Sequence, residues 1–121
     1  MDNRQKLGRD AERLAERHLA RAGYRILGRN YRVKGGEIDI IAREGDTLAF
    51  VEVKARRSDR FGAPGEAVNF AKQKKICRVA QCYLKAKGME NLNARFDVVS
   101  VSYRENGPEV EIIRDAFEFI Q

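Results

Sequence analysis

Two alternating segments joined by a Gly-Asp pair constrain this chain more than any other feature. The stretch GEIDIIAREGDTLAFVEVKAR, residues 36–56, alternates apolar and polar side chains on both sides of Gly45-Asp46. Glycine at the first of two turn positions is typical of a type II′ hairpin, whose twist matches that of the strands it joins. The sequence therefore predicts an antiparallel hairpin in which Glu44 faces Thr47.

Charged residues interrupt the apolar pattern of both predicted strands. Counting outward from the turn gives the further pairs Arg43–Leu48, Ile41–Phe50, Asp39–Glu52 and Glu37–Lys54. Because strand side chains alternate between two faces, the last two pairs should share a face with the apolar residues Ile41, Leu48 and Phe50. The opposite face is then entirely apolar, with Ile38, Ile40, Ala42, Ala49, Val51, Val53 and Ala55.

The opposed carboxylates of this hairpin indicate a specific chemistry. Directly opposed side chains have Cβ atoms about 4.5–5.5 Å apart, where like charges destabilise a sheet. Asp39 and Glu52 should therefore share a proton, pair with Lys54, or bind a hard divalent cation such as Mg²⁺. An ordinary salt-bridged face exposed to solvent is the alternative. The apolar residues expected on the same face argue against that alternative, because they require a cover.

Periodicity elsewhere in the chain predicts an α/β fold. Apolar residues at helical spacing, followed in each case by glycine, predict helices over about residues 3–22 and 66–87. Strand-like segments fall at about residues 24–33, 37–43, 47–55, 94–103 and 109–119. The order α-β-β-β-α-β-β favours an antiparallel meander followed by a helical crossover to a parallel strand. We expect a mixed five-stranded sheet flanked by helices.

Composition indicates one charged globular domain over residues 1–121. Hydrophobic residues make up 43% of the chain and charged residues 35%, and 24 Lys+Arg against 18 Asp+Glu give a net charge of +6. This basic excess is compatible with a polyanionic partner such as nucleic acid. A solvated surface with a slight basic excess is the alternative.

Cysteine usage and the N-terminal sequence suggest a cytoplasmic protein. Cys77 and Cys82 resemble small buried hydrophobic residues in a reducing compartment. The first 23 residues are charged throughout, unlike a signal peptide. The chain also lacks an apolar run of the ~20 residues that a membrane helix needs. We therefore expect a cytoplasmic protein with no membrane association.

Motifs along nearly the whole chain resemble one family. GRDAERLAERHL lies in the first helix, GEIDIIA and FVEVKAR form the hairpin, FGAPGEAV follows it, and RFDVV and IRDAF lie in the last two strands. Together they resemble the YraN family of small bacterial proteins, which is classed as endonuclease-like. An acid on one strand and Glu-x-Lys on the next also resemble the PD-(D/E)xK nuclease motif. The resemblance implies a restriction-endonuclease-like fold, similar to that of archaeal Holliday-junction resolvases.

The resemblance implies roles for four residues. Asp39 and Glu52 would be metal-binding carboxylates, and Glu12 in the first helix matches an acid that resolvase-like members add to the metal site. Lys54 would position or polarise the attacking water and neutralise charge at phosphorus. The implied metal is Mg²⁺ or Mn²⁺. Ile38 departs from the motif, because many nucleases have proline there, although resolvase-like members commonly share this departure.

Other acidic residues have weaker claims to the predicted site. Glu16 lies one turn beyond Glu12 and could replace it as the ligand from the helix. Glu37 is either a partner of the strand lysine or a charge at the start of the strand, and we favour the second interpretation. Asp97 is expected to be structural, paired with Arg95 or with a helix end.

Basic residues flank the predicted site on both sides. Those that could follow the phosphates of a nucleic acid are Arg56, Arg57, Arg60, Lys72 and Lys75. A solvated helix face is the alternative, above all for Gln73 and Lys74.

The sequence therefore predicts a metal-dependent endonuclease that hydrolyses phosphodiester bonds in DNA. The resemblance suggests branched or Holliday-junction-like DNA as the substrate, and the resolvase analogy suggests a homodimer. A nucleic-acid-binding module without catalysis, or a partner subunit of a DNA-processing assembly, is the alternative. Opposed carboxylates favour the enzyme, because they repel phosphate and serve no purpose in a simple binding module.

Overall fold

A computed structural model describes residues 3–57 and 69–119 of the chain. The elements follow the predicted order, and their bounds are α1 (Asn3–Arg21), β1 (Arg25–Val33), β2 (Gly36–Glu44), β3 (Thr47–Arg56), α2 (Phe70–Ala86), β4 (Asn93–Arg104) and β5 (Gly107–Phe117). No helix within these ranges is long and apolar enough to span a membrane.

The five strands form one mixed sheet in the order β1-β2-β3-β4-β5. β1, β2 and β3 form an antiparallel meander, β3 and β4 run parallel, and β4 and β5 are antiparallel. The parallel step follows α2, because a chain must cross over before it can return in the same direction. The predicted mixed five-stranded α/β fold, of the kind that the endonuclease-like resemblance implied, is confirmed.

The hairpin turn has the predicted geometry and register. Gly45 has φ +59°, the first position of a II′ turn, and Glu44 pairs with Thr47. The ladder continues to Ile40–Val51 and the recorded pairing ends there, one residue before Asp39. The predicted Arg43–Leu48 and Ile41–Phe50 pairs are confirmed, whereas the ladder does not reach the charged pairs.

Each helix covers one face of the sheet. Ala11, Ala15 and Leu19 of α1 are fully buried against residues that include Ile40 and Val51. On the opposite face, α2 packs its buried residues Ile76, Cys77, Val79, Ala80 and Tyr83 against Ile38, Ile41, Phe50, Phe96 and Val98. Burial on both faces explains the near-continuous apolar character of β2 and β3.

The predicted alternation along β2 is wrong at one point. Ile38 and Ile41, three residues apart, belong to the same apolar cluster under α2, whereas Ile40 lies under α1. Strict alternation would place Ile38 beside Ile40. The alternation of side chains between the two faces of the sheet is therefore interrupted between Ile38 and Ile40. Asp39 lies with Ile40 in a cleft under α1 instead of on the face of Ile41.

Two smaller expectations also need correction. Helix α2 was expected from residue 66, but Asn69 has extended backbone and caps a helix that begins at Phe70; residues 66–68 lie outside the described ranges. Cys77 is buried as expected, but Cys82 is exposed. Five helical residues rotate about 140°, so only one of the two cysteines can face the sheet.

Candidate active site

The candidate site lies where the pairing between β2 and β3 ends, and Asn30 of the neighbouring strand β1 has an unusual backbone conformation there. β1 pairs Arg29 with Ile40 and Tyr31 with Ile38, so Asn30 lies opposite Asp39. Asn30 has the left-handed value φ +49°, which few residues other than glycine and asparagine adopt readily. This local distortion coincides with the exchange of faces in β2 and lets Asp39 leave the regular alternation.

Asp39 reaches across to the backbone of β3. Its Oδ2 atom accepts a hydrogen bond from Val53 N at 2.8 Å, which connects β2 to the residue following Glu52. Burial and the charge of Glu52 raise the pKa of Asp39 to about 7, against the opposing effect of this hydrogen bond; Glu12 and Glu37 raise it further. The ionised carboxylate is therefore disfavoured near neutral pH in the metal-free protein, which is typical of a site that a cation would stabilise.

Glu52 lies on the α2 side of the sheet and is 6% exposed. Its Oε1 atom is 2.7 Å from the Nζ atom of Lys72, in the first turn of α2. A carboxylate buried this deeply requires a partner, and Lys72 supplies it. Lys72 was predicted to lie on a nucleic-acid rim, but the structure places its ammonium group against the central acid.

Lys54 lies next to Lys72, and its environment differs from that of an ordinary surface lysine. Burial and the neighbouring Lys72 lower the pKa of Lys54, while the charges of Glu52 and Asp39 oppose the shift. In Lys72, burial is outweighed by the hydrogen bond and charge of Glu52, so the pKa of Lys72 is raised. The two lysines and two acids thus interact as one electrostatic group.

Hydrogen bonds from the Asn30 amide connect Glu12 of α1 to Glu37 of β2, close to Asp39. Asn30 Nδ2 donates to Glu12 Oε1 at 3.0 Å and to Glu37 Oε1 at 2.9 Å, which joins α1, β1 and β2. Glu37 also accepts a hydrogen bond from Arg32 at 3.0 Å. Glu37 is thus a charge at the start of β2, as the favoured interpretation had it, and its hydrogen bonds go to its β1 neighbours Asn30 and Arg32.

Glu16, the alternative ligand from α1, is held by Arg29. Arg29 Nε donates to Glu16 Oε2 at 2.7 Å, and Arg29 Nη2 donates to Glu16 Oε1. This two-point hydrogen bonding lowers the pKa of Glu16. The structure therefore favours Glu12 over Glu16 as the acid available to the site, because Glu12 contacts only a neutral amide among the hydrogen bonds described here.

Asp39 lies in a cleft of about 270 Å³ between α1 and the sheet, lined by Arg9, Glu12, Arg13, Glu16, Arg29, Asn30, Asp39 and Ile40. Glu52, Lys54 and Lys72 do not line this cleft. Within residues 3–57 and 69–119, no group of three or more His, Cys, Asp or Glu side chains is arranged to hold a metal ion. Asp39 and Glu52 place two carboxylates on the neighbouring strands β2 and β3, and Mg²⁺ is commonly bound by one or two carboxylates together with water and phosphate oxygens.

The other residues predicted to contact nucleic acid are spread around the molecule. Arg57 is exposed and lines a wide cleft of about 590 Å³ beside the turn between β4 and β5. Lys75 is exposed on α2 and lines a small pocket with Lys34 and Arg78. Arg56 is half-buried at the end of β3, and Arg60 lies outside the described residues. Their role in binding stays a prediction.

Sequence analysis missed two residues near the site and did not predict the contact between Lys72 and Glu52. Asn30 is one; its position opposite Asp39 follows from the β1 pairing, which no local pattern indicates. Ser100 is the other; it pairs with Lys54 in the parallel β3–β4 ladder and is 2% exposed. Among the described residues its hydroxyl has no hydrogen-bond partner, which is uncommon for a buried polar group. The sequence indicated Ser100 only as a polar residue within an otherwise apolar strand.

The chain is thus an α/β protein with a mixed five-stranded sheet that carries Asp39, Glu52 and Lys54 on its neighbouring strands β2 and β3. A family model described as "Uncharacterised protein family UPF0102" matches residues 11–101. The chain belongs to this family, which is the YraN family that the motifs resembled.

Relatives match over most of their length. A UPF0102 protein of Syntrophus aciditrophicus is 52% identical over 113 residues, covering 93% of this chain and 89% of the relative. One of Desulfosudis oleivorans is 52% identical over 118 residues, covering 98% and 94%. Among solved structures, Pyrococcus furiosus SfsA in complex with Ca²⁺ is similar at 17% identity and a TM-score of 0.40; the match covers 91% of this chain and 62% of SfsA.

Proposed function

We propose that the protein is a metal-dependent endonuclease that hydrolyses phosphodiester bonds in DNA. The observation that carries this proposal is the placement of Asp39 and Glu52 on the neighbouring strands β2 and β3, where Asp39 Oδ2 accepts a hydrogen bond from Val53 N and where burial and the charge of Glu52 raise the pKa of Asp39 to about 7. The charges of both acids also act on Lys54. A fold gains no stability from two acids placed in this way. A divalent cation would relieve their repulsion, which gives the arrangement a chemical purpose.

In this proposal each residue has a limited task. Asp39 and Glu52 hold the cation, and Asp39 is oriented by the hydrogen bond from Val53 N. Lys54 orients the attacking water and neutralises charge at the phosphate, for which a compact ammonium on a flexible chain is suited. The cation, when bound, polarises the phosphate and lowers the pKa of water. Glu12 completes the acidic wall from α1, and Asn30 fixes its position.

Binding of metal is the primary test of this function. Titration calorimetry with Mn²⁺ should show saturable binding to the wild-type protein and none to Asp39→Asn or Glu52→Gln. Because only two carboxylates are adjacent, phosphate oxygens are expected to complete the coordination, so the titration is repeated with DNA present. Mg²⁺-dependent cleavage of a four-way DNA junction, compared with a linear duplex of the same sequence, then tests the reaction. Wild-type protein that binds no Mn²⁺ even with DNA would refute the proposal.

The acid contributed by α1 can be tested with a matched pair of variants. Glu12→Gln is expected to weaken Mn²⁺ binding by about tenfold, the lower end of the effect of residues that support metal ligands. Glu16→Gln, one helical turn away, should leave Mn²⁺ affinity unchanged, because Glu16 is already paired with Arg29. Calorimetry on both variants makes the comparison. If Glu12→Gln and Glu16→Gln lost Mn²⁺ affinity equally, the total negative charge of α1 would matter and the position of Glu12 would not.

The bridge through Asn30 gives a further prediction. Asn30→Gly tolerates the left-handed backbone but removes the amide that joins Glu12 to Glu37, so it should lower Mn²⁺ affinity about tenfold with little loss of stability. Asn30→Ala loses the same hydrogen bonds and adds backbone strain, at a cost of about 1 kcal/mol more. Calorimetry and urea unfolding separate the two effects. Wild-type metal affinity in Asn30→Gly would contradict the positioning role.

A nucleic-acid-binding module without catalysis is the second candidate. The ion pair between Lys72 and Glu52 favours it, because it occupies a carboxylate that the endonuclease needs for metal. This candidate predicts DNA binding that is independent of divalent cations and unchanged in Asp39→Asn. Fluorescence anisotropy with labelled DNA, in EDTA and in Ca²⁺, distinguishes it from the endonuclease.

A further inference from the structure

Lys72 forms an ion pair with Glu52, and the proposed chemistry gives this ion pair no role. Its Nζ atom is 2.7 Å from Glu52 Oε1, with the lysine side chain 39% exposed and the Glu52 side chain 7% exposed. The position of Lys72 on the helix is fixed, because Asn69 caps α2 by accepting a hydrogen bond from Lys72 N at 2.9 Å. A buried carboxylate is thus neutralised by a lysine that reaches it from the solvent side.

Resting on the function proposed above, we propose that Lys72 is a displaceable counter-ion that competes with the divalent cation for Glu52. In the metal-free protein Lys72 satisfies the buried carboxylate, and it must leave that carboxylate when a cation is bound. The reason is electrostatic, since an ammonium and a divalent cation a few ångströms apart in a poorly solvated site repel each other strongly. Lys72 thereby sets how readily the metal enters.

The geometry of Lys72 suits this exchange better than that of Lys54. Lys54 lies within a central strand, between β2 and β4, and its backbone position cannot change without breaking the sheet. Lys72 lies on the first turn of a helix with part of its chain in solvent, so rotation about its side-chain bonds is sufficient to move the ammonium away. Lys74, two residues on, lies over the Phe70 ring at 5.6 Å and serves as a control.

The first experiment measures release of Lys72 in the wild-type protein. Native protein is treated briefly with acetic anhydride, with and without Mn²⁺, and acetylation of each lysine is quantified by mass spectrometry. We expect Mn²⁺ to increase modification of Lys72 several-fold and to leave Lys74 unchanged. In Glu52→Gln, Lys72 should react as readily without Mn²⁺ as in the metal-bound wild type. Modification of Lys72 that does not change with bound Mn²⁺ would overturn the inference.

The second experiment measures the competition itself. Lys72→Met removes the charge and retains much of the side-chain volume, so calorimetry should show Mn²⁺ binding about two- to fivefold tighter than wild type, the range expected for a partly exposed ion pair. Lys74→Met should match the wild type. Mn²⁺ binding that is unchanged or weaker in Lys72→Met would refute the counter-ion role alone. Absence of binding in both wild type and Lys72→Met would refute the proposed function and the inference together.

Discussion

Asp39→Asn is expected to stabilise the metal-free protein at pH 8 by about 2–4 kcal/mol, an unusual direction for a substitution in a half-buried site. The pKa of Asp39 is about 7 in the folded protein and 3.8 for an ordinary aspartate. Ionising this group in the folded protein therefore costs free energy. Asparagine removes the charge and keeps an oxygen that can accept the hydrogen bond from Val53 N.

The pH dependence identifies the cause of this stabilisation. Well below its ordinary pKa of 3.8, Asp39 is protonated in both the folded and the unfolded state, so the charge contributes no penalty. As the pH rises from 4 to 7 the unfolded chain loses its proton first, and the wild type loses stability relative to Asp39→Asn. Above pH 7 the difference should be constant. Urea unfolding in EDTA at pH 4, 6 and 8 measures it.

A matched control and a metal test complete this prediction. Asp46→Asn removes a carboxylate from the turn of the same hairpin, where the side chain is 100% exposed, and should change stability by less than about 0.5 kcal/mol at every pH. Saturating Mn²⁺ should stabilise the wild type and not Asp39→Asn. If the stability advantage of Asp39→Asn over the wild type became smaller as the pH rises, burial of the Asp39 charge would be contradicted.

Asp97→Ala is expected to destabilise the protein by about 3–5 kcal/mol, because it leaves buried donors without an acceptor. Asp97 is fully buried, and it accepts hydrogen bonds from Tyr24 Oη at 2.7 Å, Arg95 Nε at 2.9 Å and Asp115 N at 2.9 Å. Asp115 has φ +54°, at the irregular register between β4 and β5. The carboxylate thus fixes a distortion of the edge strand.

The same network extends to the hairpin turn and explains why its loss should be large. Arg95 and Arg114 both donate to Glu44, which lowers the pKa of Glu44 to about 2. Burial and the hydrogen bond to Asp97 raise the pKa of Tyr24 to about 12. Removing the carboxylate therefore disturbs contacts among the connection between α1 and β1, which holds Tyr24, and the strands β2, β4 and β5.

Graded variants keep this prediction testable if Asp97→Ala does not fold. Tyr24→Phe removes one donor and should cost about 1 kcal/mol in urea unfolding. Glu109→Gln, on β5, breaks an exposed ion pair with Arg104 of β4 and should cost less than about 1 kcal/mol. Mn²⁺ affinity should be unchanged in Tyr24→Phe, since this network is not part of the proposed metal site. A loss below 1 kcal/mol in Asp97→Ala would show that water replaces the carboxylate.

Local sequence patterns predicted much of the fold. Gly45-Asp46 fixed the turn and register of the hairpin, because a two-residue turn permits few pairings. The interpretation of Asp97 as a structural acid paired with Arg95 is supported by the structure. The hairpin register singled out Asp39, Glu52 and Lys54, whereas their catalytic roles and that of Glu12 came from the family resemblance. The active-site assignment stays a prediction until metal binding is measured.

The order of elements, the hairpin register and the mixed sheet could be predicted because they follow from periodicity and turn chemistry over short stretches of chain. The partners of the charged residues could not be predicted, because they depend on how the helices and strands pack. The left-handed Asn30 on β1 coincides with the distortion of β2 at Asp39, and α2 brings Lys72 to Glu52. Such contacts join residues far apart in the chain, so their geometry depends on how the helices and strands pack, which no local pattern encodes.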